Sequence, residues 1–101
     1  MLQANLVINY EQIEAFCRRH HIRRLALFGS VLREDFGSDS DIDILVDFDP
    51  NHIPGLALIR MQDELSALLG GKAVDLVTPK FLNQRIRAQV LAEAKEIYVQ
   101  R

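Results

Sequence analysis

The sequence predicts an α/β (α+β) fold in which helices pack on one face of a small mixed β-sheet. Short apolar segments alternate with amphipathic segments along the chain, and strands separated by helices imply a sheet with helices packed on it. Of the 101 residues, 49% are hydrophobic and 26% are charged, a composition typical of a globular protein. A chain of this length accommodates one core, so residues 1–101 are predicted to form a single domain.

The first half of the chain predicts a helix, a strand, a short helix and a second strand, over residues 9–20, 25–28, 30–35 and 41–48. Asn9 is a suitable N-cap for the first helix, and the basic cluster at residues 18–24 is expected to close that helix and complement its dipole. The first strand is a short apolar run that ends at Gly29, which indicates a turn. Ser30 is expected to cap the short helix, and the second strand is rich in β-branched residues.

The second half predicts a helix, a strand, a further helix and a short closing strand, over residues 55–69, 73–77, 80–94 and 97–99. The first of these helices is amphipathic and ends at Gly70 and Gly71, which suit a C-cap. The last helix follows Pro79 and carries an apolar stripe made of Phe81, Leu82, Ile86, Val90 and Leu91. Together the eight elements predict the sheet-and-helix arrangement, with one face of the sheet covered.

Composition excludes several classes of protein. The formal net charge of -2 provides no general basic surface, so direct binding of nucleic acid is not expected. The N-terminal region has no apolar run long enough for a signal peptide or a membrane span, which makes the cytoplasm the expected location. One cysteine and three histidines do not provide a four-ligand zinc cluster, and Cys17 is expected to be a small buried side chain.

The predicted strand at residues 41–48 carries acidic side chains on one of its two faces. Because side chains alternate along a strand, Asp41 and Asp43 project from the same face, about 6–7 Å apart. Like charges at this spacing repel unless a cation lies between them, and divalent cations prefer carboxylate oxygens. The pair therefore predicts a metal site that supports displacement at phosphorus. Taken alone, the same pattern also fits a solvated edge strand.

The junction of Gly29 and Ser30 suggests a phosphate-binding turn. Backbone N–H groups at the start of a helix attract anions, and glycine lets the backbone approach a phosphate closely. A Gly-Ser pair is by itself more often an ordinary turn with an N-cap. Combined with a carboxylate pair, however, it provides the complementary half of a site for a nucleoside triphosphate and metal.

Asp75 is a third candidate, because it lies in the middle of a predicted strand between two apolar residues. An acidic side chain there is costly unless it is exposed or paired. If this strand neighbours the 41–48 strand, Asp75 is placed to complete the metal site or to act as a general base. The alternative is an aspartate on a solvated edge strand.

Gly29 and Ser30, followed after ten residues by Asp41 and Asp43, resemble the signature of the DNA polymerase β-like nucleotidyltransferase superfamily. The segment LFGSVLREDFGSDSDIDILVDFDP at residues 27–50 is similar to the minimal nucleotidyltransferase branch, small proteins usually encoded beside a HEPN-domain toxin. The resemblance extends from about residue 10 to the C-terminus. It implies the nucleotidyltransferase fold for the whole domain.

The resemblance also implies roles for individual residues. Gly29 and Ser30 would hold the terminal phosphates of the nucleotide. Asp41, Asp43 and Asp75 would form the catalytic carboxylate set and bind Mg²⁺, with two ions expected. Arg33 matches an arginine common after the Gly-Ser pair and would contact phosphate, although it also fits a solvated helix position.

By resemblance, the expected reaction transfers AMP from ATP to a hydroxyl, and the acceptor is a tyrosine of a cognate HEPN-family toxin. The chain would then be the antitoxin of a type VII-like toxin–antitoxin pair and would form a hetero-oligomer with the toxin. One alternative is an antitoxin that neutralises its partner by binding alone. Another is nucleotidyl transfer to an RNA or small-molecule hydroxyl.

Overall fold

The computed structural model describes residues 8–32 and 41–100. Three α-helices occur in this part of the chain: α1 (Tyr10–Arg19), α2 (Leu58–Leu68) and α3 (Gln84–Glu93). Four strands alternate with them: β1 (Ile22–Phe28), β2 (Ile42–Phe48), β3 (Val74–Val77) and β4 (Lys95–Val99). Short 3-10 turns span Gly29–Leu32, Gly55–Ala57 and Pro79–Phe81. The predicted order of helices and strands is confirmed.

The strands form one mixed sheet in the order β3-β2-β1-β4. β1 runs antiparallel to both of its neighbours, β2 and β4, whereas β2 and β3 run parallel. A parallel pair needs a crossover connection, and α2 provides it. The mixed sheet predicted from the sequence is therefore present, with β2 between β1 and the edge strand β3.

Helices α1 and α2 cover the face of the sheet from which the even-numbered residues of β2 project. The core cluster contains four residues of β2, namely Ile42, Ile44, Val46 and Phe48. The helices contribute Ile13, Phe16 and Cys17 from α1 and Met61 and Leu65 from α2. Cys17 is the buried side chain that the sequence predicts, and burial raises the pKa of its thiol to about 12. On the opposite face, Ala26 and Leu45 are also buried, so that face is only partly open.

The boundary between α1 and β1 differs from the sequence prediction. Asn9 caps α1 as expected, because its side-chain oxygen accepts hydrogen bonds from the N–H groups of Glu11 and Gln12. The helix ends at Arg19, however, and the chain reverses at His21, which adopts φ +58°. The second half of the basic cluster therefore belongs to β1 instead of closing the helix. In the strand, Arg24 Nε lies 2.6 Å from Glu96 Oε2 of β4.

The last helix also begins later than predicted, and Leu82, Val90 and Leu91 of its predicted apolar stripe are only partly buried. Pro79–Phe81 form a separate 3-10 turn, and Leu82 is extended, so the helix starts only at Gln84. Asn83 caps it by accepting a hydrogen bond from the N–H of Arg85 at 2.8 Å. No described residue of α3 is buried, and Ile86 is 47% exposed. The described helices include none long and apolar enough to cross a membrane.

Candidate functional site

The candidate site lies where β1 ends and where β2 and β3 begin. Asp43 of β2 pairs with Phe28, the last residue of β1, and on its other side with Asp75 of β3. Asp41 lies immediately before β2 and is exposed. The strand of Asp75 therefore lies beside the strand of Asp43, which is the condition under which Asp75 is placed to join the site. The fold brings the three predicted carboxylate residues to one end of the sheet.

Asp43 and Asp75 project from the same face because they are in register on neighbouring parallel strands. Strands in a sheet are about 4.8 Å apart, which places two acidic residues side by side. Asp43 is half-buried and Asp75 is exposed. Burial raises the pKa of Asp43, and repulsion from Asp75 and then Asp41 raises it further. The site therefore concentrates negative charge that a cation would offset.

Gly29 brings the turn after β1 into contact with Asp43. It adopts φ +76°, a conformation that residues with a Cβ rarely take. A Cβ at this position would overlap Asp43 Oδ2 and would lie 3.3 Å from Asp43 Cγ. The backbone of the predicted phosphate turn thus packs directly against a predicted metal ligand, and only glycine leaves room for that carboxylate.

The other predicted phosphate-binding residues are only partly within the described chain. Ser30 lies in the 3-10 turn Gly29–Leu32, where the sequence predicts one or two helical turns over residues 30–35. The remainder of that predicted helix, with Arg33, lies outside the described residues. A four-residue turn still presents backbone N–H groups, which satisfy anions in turns as well as at helix starts.

One residue beside the site was missed in the sequence. Gln62 of α2 accepts a hydrogen bond from the backbone N–H of Leu76, the residue after Asp75, at 2.9 Å. A glutamine on the polar side of an amphipathic helix is ordinary, so the sequence offers no signal for this contact. Only the packing of α2 against the edge strand reveals it.

Comparison with known proteins decides the family. The model of the polymerase beta nucleotidyltransferase family matches residues 11–101, which include every residue of the site. The chain belongs to the polymerase β-type nucleotidyltransferase family. It is a nucleotidyltransferase, and its small mixed sheet with three helices is the fold of the minimal members.

Individual relatives of this nucleotidyltransferase agree with that assignment. The protein adenylyltransferase MntA of Thermococcus cleftensis is 37% identical over an alignment of 102 residues. The alignment covers 92% of this chain and 98% of the relative. A solved structure provisionally assigned as a minimal nucleotidyltransferase is 40% identical and has a TM-score of 0.70. The match covers 84% of this chain and 85% of the solved chain. A toxin–antitoxin structure with AMP-PNP has a TM-score of 0.65 at 23% identity, covering 93% and 76% of the two chains. At that identity, the last likeness shows the fold alone.

The site of the nucleotidyltransferase fits Mg²⁺ by the chemistry of its donors. Magnesium is usually bound by one or two carboxylates together with phosphate oxygens and water. Among residues 8–32 and 41–100, no group of three or more His, Cys, Asp or Glu side chains is arranged to hold a metal ion. Asp41 and Asp43 are the carboxylates that would bind it, with Asp75 alongside, and nucleotide phosphates would supply further oxygens.

Without metal, Asp43→Asn is expected to make the nucleotidyltransferase more stable at pH 7. The folded-state pKa of Asp43 is raised above its ordinary value of 3.8, so the folded protein binds more protons than the unfolded chain just above that pH. The free energy of unfolding of the wild-type protein therefore falls as the pH rises from the ordinary pKa of Asp43 to its raised folded-state pKa. The loss of stability from the ionised Asp43 persists at higher pH. The gain should be small by about pH 3.5, where the carboxyl group is mostly protonated in both states. Urea unfolding in EDTA at pH 7 and pH 3.5 measures both values, and an Asn variant less stable at pH 7 would contradict the expectation.

Proposed function

We propose that this nucleotidyltransferase transfers AMP from ATP to a tyrosine hydroxyl of a cognate HEPN-family toxin and thereby acts as its antitoxin. The observation that carries the proposal is the contact between Gly29 and Asp43, with Asp75 in register beside them. A phosphate-binding turn and a carboxylate cluster then share one end of the sheet. That juxtaposition suits a nucleoside triphosphate held by its phosphates, with a divalent cation between the phosphates and the protein.

In the proposed reaction, the acceptor oxygen attacks the α-phosphorus of ATP. A bond forms between that oxygen and the α-phosphorus, the bond from the α-phosphorus to the bridging oxygen breaks, and pyrophosphate leaves. Gly29 and Ser30 would hold the terminal phosphates through backbone N–H groups. Bound Mg²⁺, with two ions expected, would neutralise charge that develops on the phosphates. Asp75 would complete the metal site or accept the proton of the hydroxyl.

The choice of nucleotide and acceptor draws on the relatives. A relative that this chain matches over nearly its full length is named as a protein adenylyltransferase. Two similarly folded structures are toxin–antitoxin complexes, and one of them contains AMP-PNP. The other is the pair MntA–HepT, which matches this chain with a TM-score of 0.62 and 22% identity. That match covers 90% of this chain and 70% of the solved chain. These names support ATP as the donor and a toxin as the partner of this chain. The proposal adds, from the family resemblance, that the two proteins form a hetero-oligomer and a type VII-like toxin–antitoxin pair. The cytoplasm is the proposed location.

The test is transfer of label from α-labelled ATP by the purified chain to its co-encoded toxin, with Mg²⁺ or with EDTA. We expect label on the toxin only with the metal, and mass spectrometry should locate AMP on a tyrosine. The Asp41→Ala/Asp43→Ala double variant should transfer none and should lose the ability to neutralise the toxin in cells.

Each alternative function predicts a different result in the same assay. Label on added RNA or on a small molecule, with none on the toxin, would replace the proposed acceptor. A stable complex without transfer, and full neutralisation by the double variant, would indicate an antitoxin that acts by binding alone. Either result would overturn the proposed protein adenylylation.

A further inference from the structure

Asp75 lies on β3, the shortest strand of the site. β3 is four residues long and lies at the edge of the sheet formed by residues 8–32 and 41–100, where it pairs with β2 on one side. An edge strand presents unpaired N–H and C=O groups on its other side and is held less firmly than a central strand. Asp75 also lies beside Asp43, and two neighbouring carboxylates repel. A contact beyond the β2 ladder would therefore help to keep Asp75 in place.

Two side chains of α2 hold the chain on either side of Asp75. Gln62 Oε1 accepts a hydrogen bond from the N–H of Leu76 at 2.9 Å. Ser66 Oγ donates a hydrogen bond to the carbonyl of Lys72 at 2.5 Å. The two contacts therefore bracket Asp75, with one immediately after it and one three residues before it. Gln62 and Ser66 are four residues apart, so they lie on the same side of α2.

The helix that carries these two residues is anchored in the core. Met61 and Leu65 are 2% and 0% exposed, and each immediately precedes one of the bracketing residues. Ser66 also accepts a hydrogen bond at its backbone carbonyl from the N–H of Gly71 at 2.8 Å, which fixes the turn from α2 into β3. Because α2 cannot move without disturbing the core, its polar side chains provide a fixed reference for β3.

We propose that Gln62 is a positioning residue for the metal site, because its hydrogen bond to Leu76 holds the edge strand so that Asp75 stays beside Asp43. Outer residues that orient metal ligands affect metal affinity although they do not touch the metal. Ser66 assists from the other side of Asp75. This role rests on the proposed function, since it matters only if Asp75 contributes to a metal–nucleotide site.

The test compares Gln62→Met, which keeps the length of the side chain but removes the acceptor, with Gln62→Glu, which keeps an acceptor oxygen. Mn²⁺ serves as the probe, and its binding to the full chain is measured by electron paramagnetic resonance with a non-hydrolysable ATP analogue. We expect Gln62→Met to weaken Mn²⁺ binding about tenfold or more and to speed hydrogen exchange at the Leu76 amide. Gln62→Glu should restore both quantities. Gln12→Met, on the exposed side of α1, is the matched control and should change neither.

Unchanged Mn²⁺ affinity in Gln62→Met, in spite of faster exchange at Leu76, would overturn the proposal. If Gln62→Met does not fold, Ser66→Ala tests the same bracket and should weaken Mn²⁺ binding in the same direction; unchanged binding there would count against the proposal. A third outcome is that Gln62→Met weakens Mn²⁺ binding while the wild-type chain transfers no nucleotide. That outcome would refute the proposed reaction but would support the positioning role of Gln62. The two failures are therefore distinguishable.

Discussion

Asp43→Asn is expected to lower nucleotidyl transfer about a thousandfold. The substitution replaces a carboxylate that is proposed to bind the metal by a neutral amide of the same size, so a loss of roughly 4 kcal/mol of transition-state stabilisation is expected. Steady-state transfer of label from α-labelled ATP measures the effect. Since the same variant should be at least as stable as the wild type without metal, a melting curve separates lost chemistry from lost folding.

Asp47→Asn is the matched control for this prediction. Asp47 lies on the same strand and on the same face as Asp43, four residues further along, and it is exposed. Its substitution removes the same charge at a distance from Gly29 and Asp75, so transfer should stay within about twofold of the wild type. Equal losses in both variants would mean that general electrostatics, and not a metal site at Asp43, explains the effect.

Gly29→Ala is expected to lower transfer at least about a hundredfold. An alanine at φ +76° costs about 1–2 kcal/mol of stability, and its Cβ would clash with Asp43 Oδ2. The carboxylate must then move, and displacements of about 1 Å in an active site cost on the order of a hundredfold in rate. Transfer assays and urea unfolding on the same protein separate the two effects.

Gly55→Ala isolates the backbone cost from the displacement of Asp43. Gly55 also has a positive φ, +61°, but a Cβ there would meet nothing within 4 Å. It should lose a similar amount of stability and keep its transfer activity. Wild-type activity in Gly29→Ala would remove the contact with Asp43 from the explanation of the site.

The spacing of Gly29 and Ser30 from Asp41 and Asp43 predicts a candidate site, and the structure brings Gly29, Asp43 and Asp75 together at one end of the sheet. Each half is a weak signal alone, because a Gly-Ser pair is often an ordinary turn and two alternating aspartates often belong to a solvated strand. The combination of the two halves at this spacing is the specific signal. The contact between the halves was not predictable, since it depends on the φ of Gly29 and on the pairing of Phe28 with Asp43. Neither the dihedral angle nor the register is visible in the sequence.

Other parts of the fold could not be predicted from the sequence, for different physical reasons. Arg24 appeared to belong to a basic helix end, because the partner that makes it suitable for a strand, Glu96, lies 72 positions further along the chain. The apolar stripe of the last helix correctly predicted a helix. It did not show that this helix lies at the surface, where Ile86 is 47% exposed. Gln62 was missed because its contact is with a backbone amide, and a backbone amide leaves no trace in residue types.

Crowded like charges at one end of the sheet make the melting temperature of the enzyme sensitive to what fills the site. A ligand that binds only the folded protein adds about 2.7 kcal/mol of stability at a hundred times its Kd. In a domain this small, each 1 kcal/mol shifts the melting temperature by about 4–8 °C. A thermal-shift comparison of the four nucleoside triphosphates with Mg²⁺ can therefore rank nucleobase preference with the chain alone, before any acceptor is in hand.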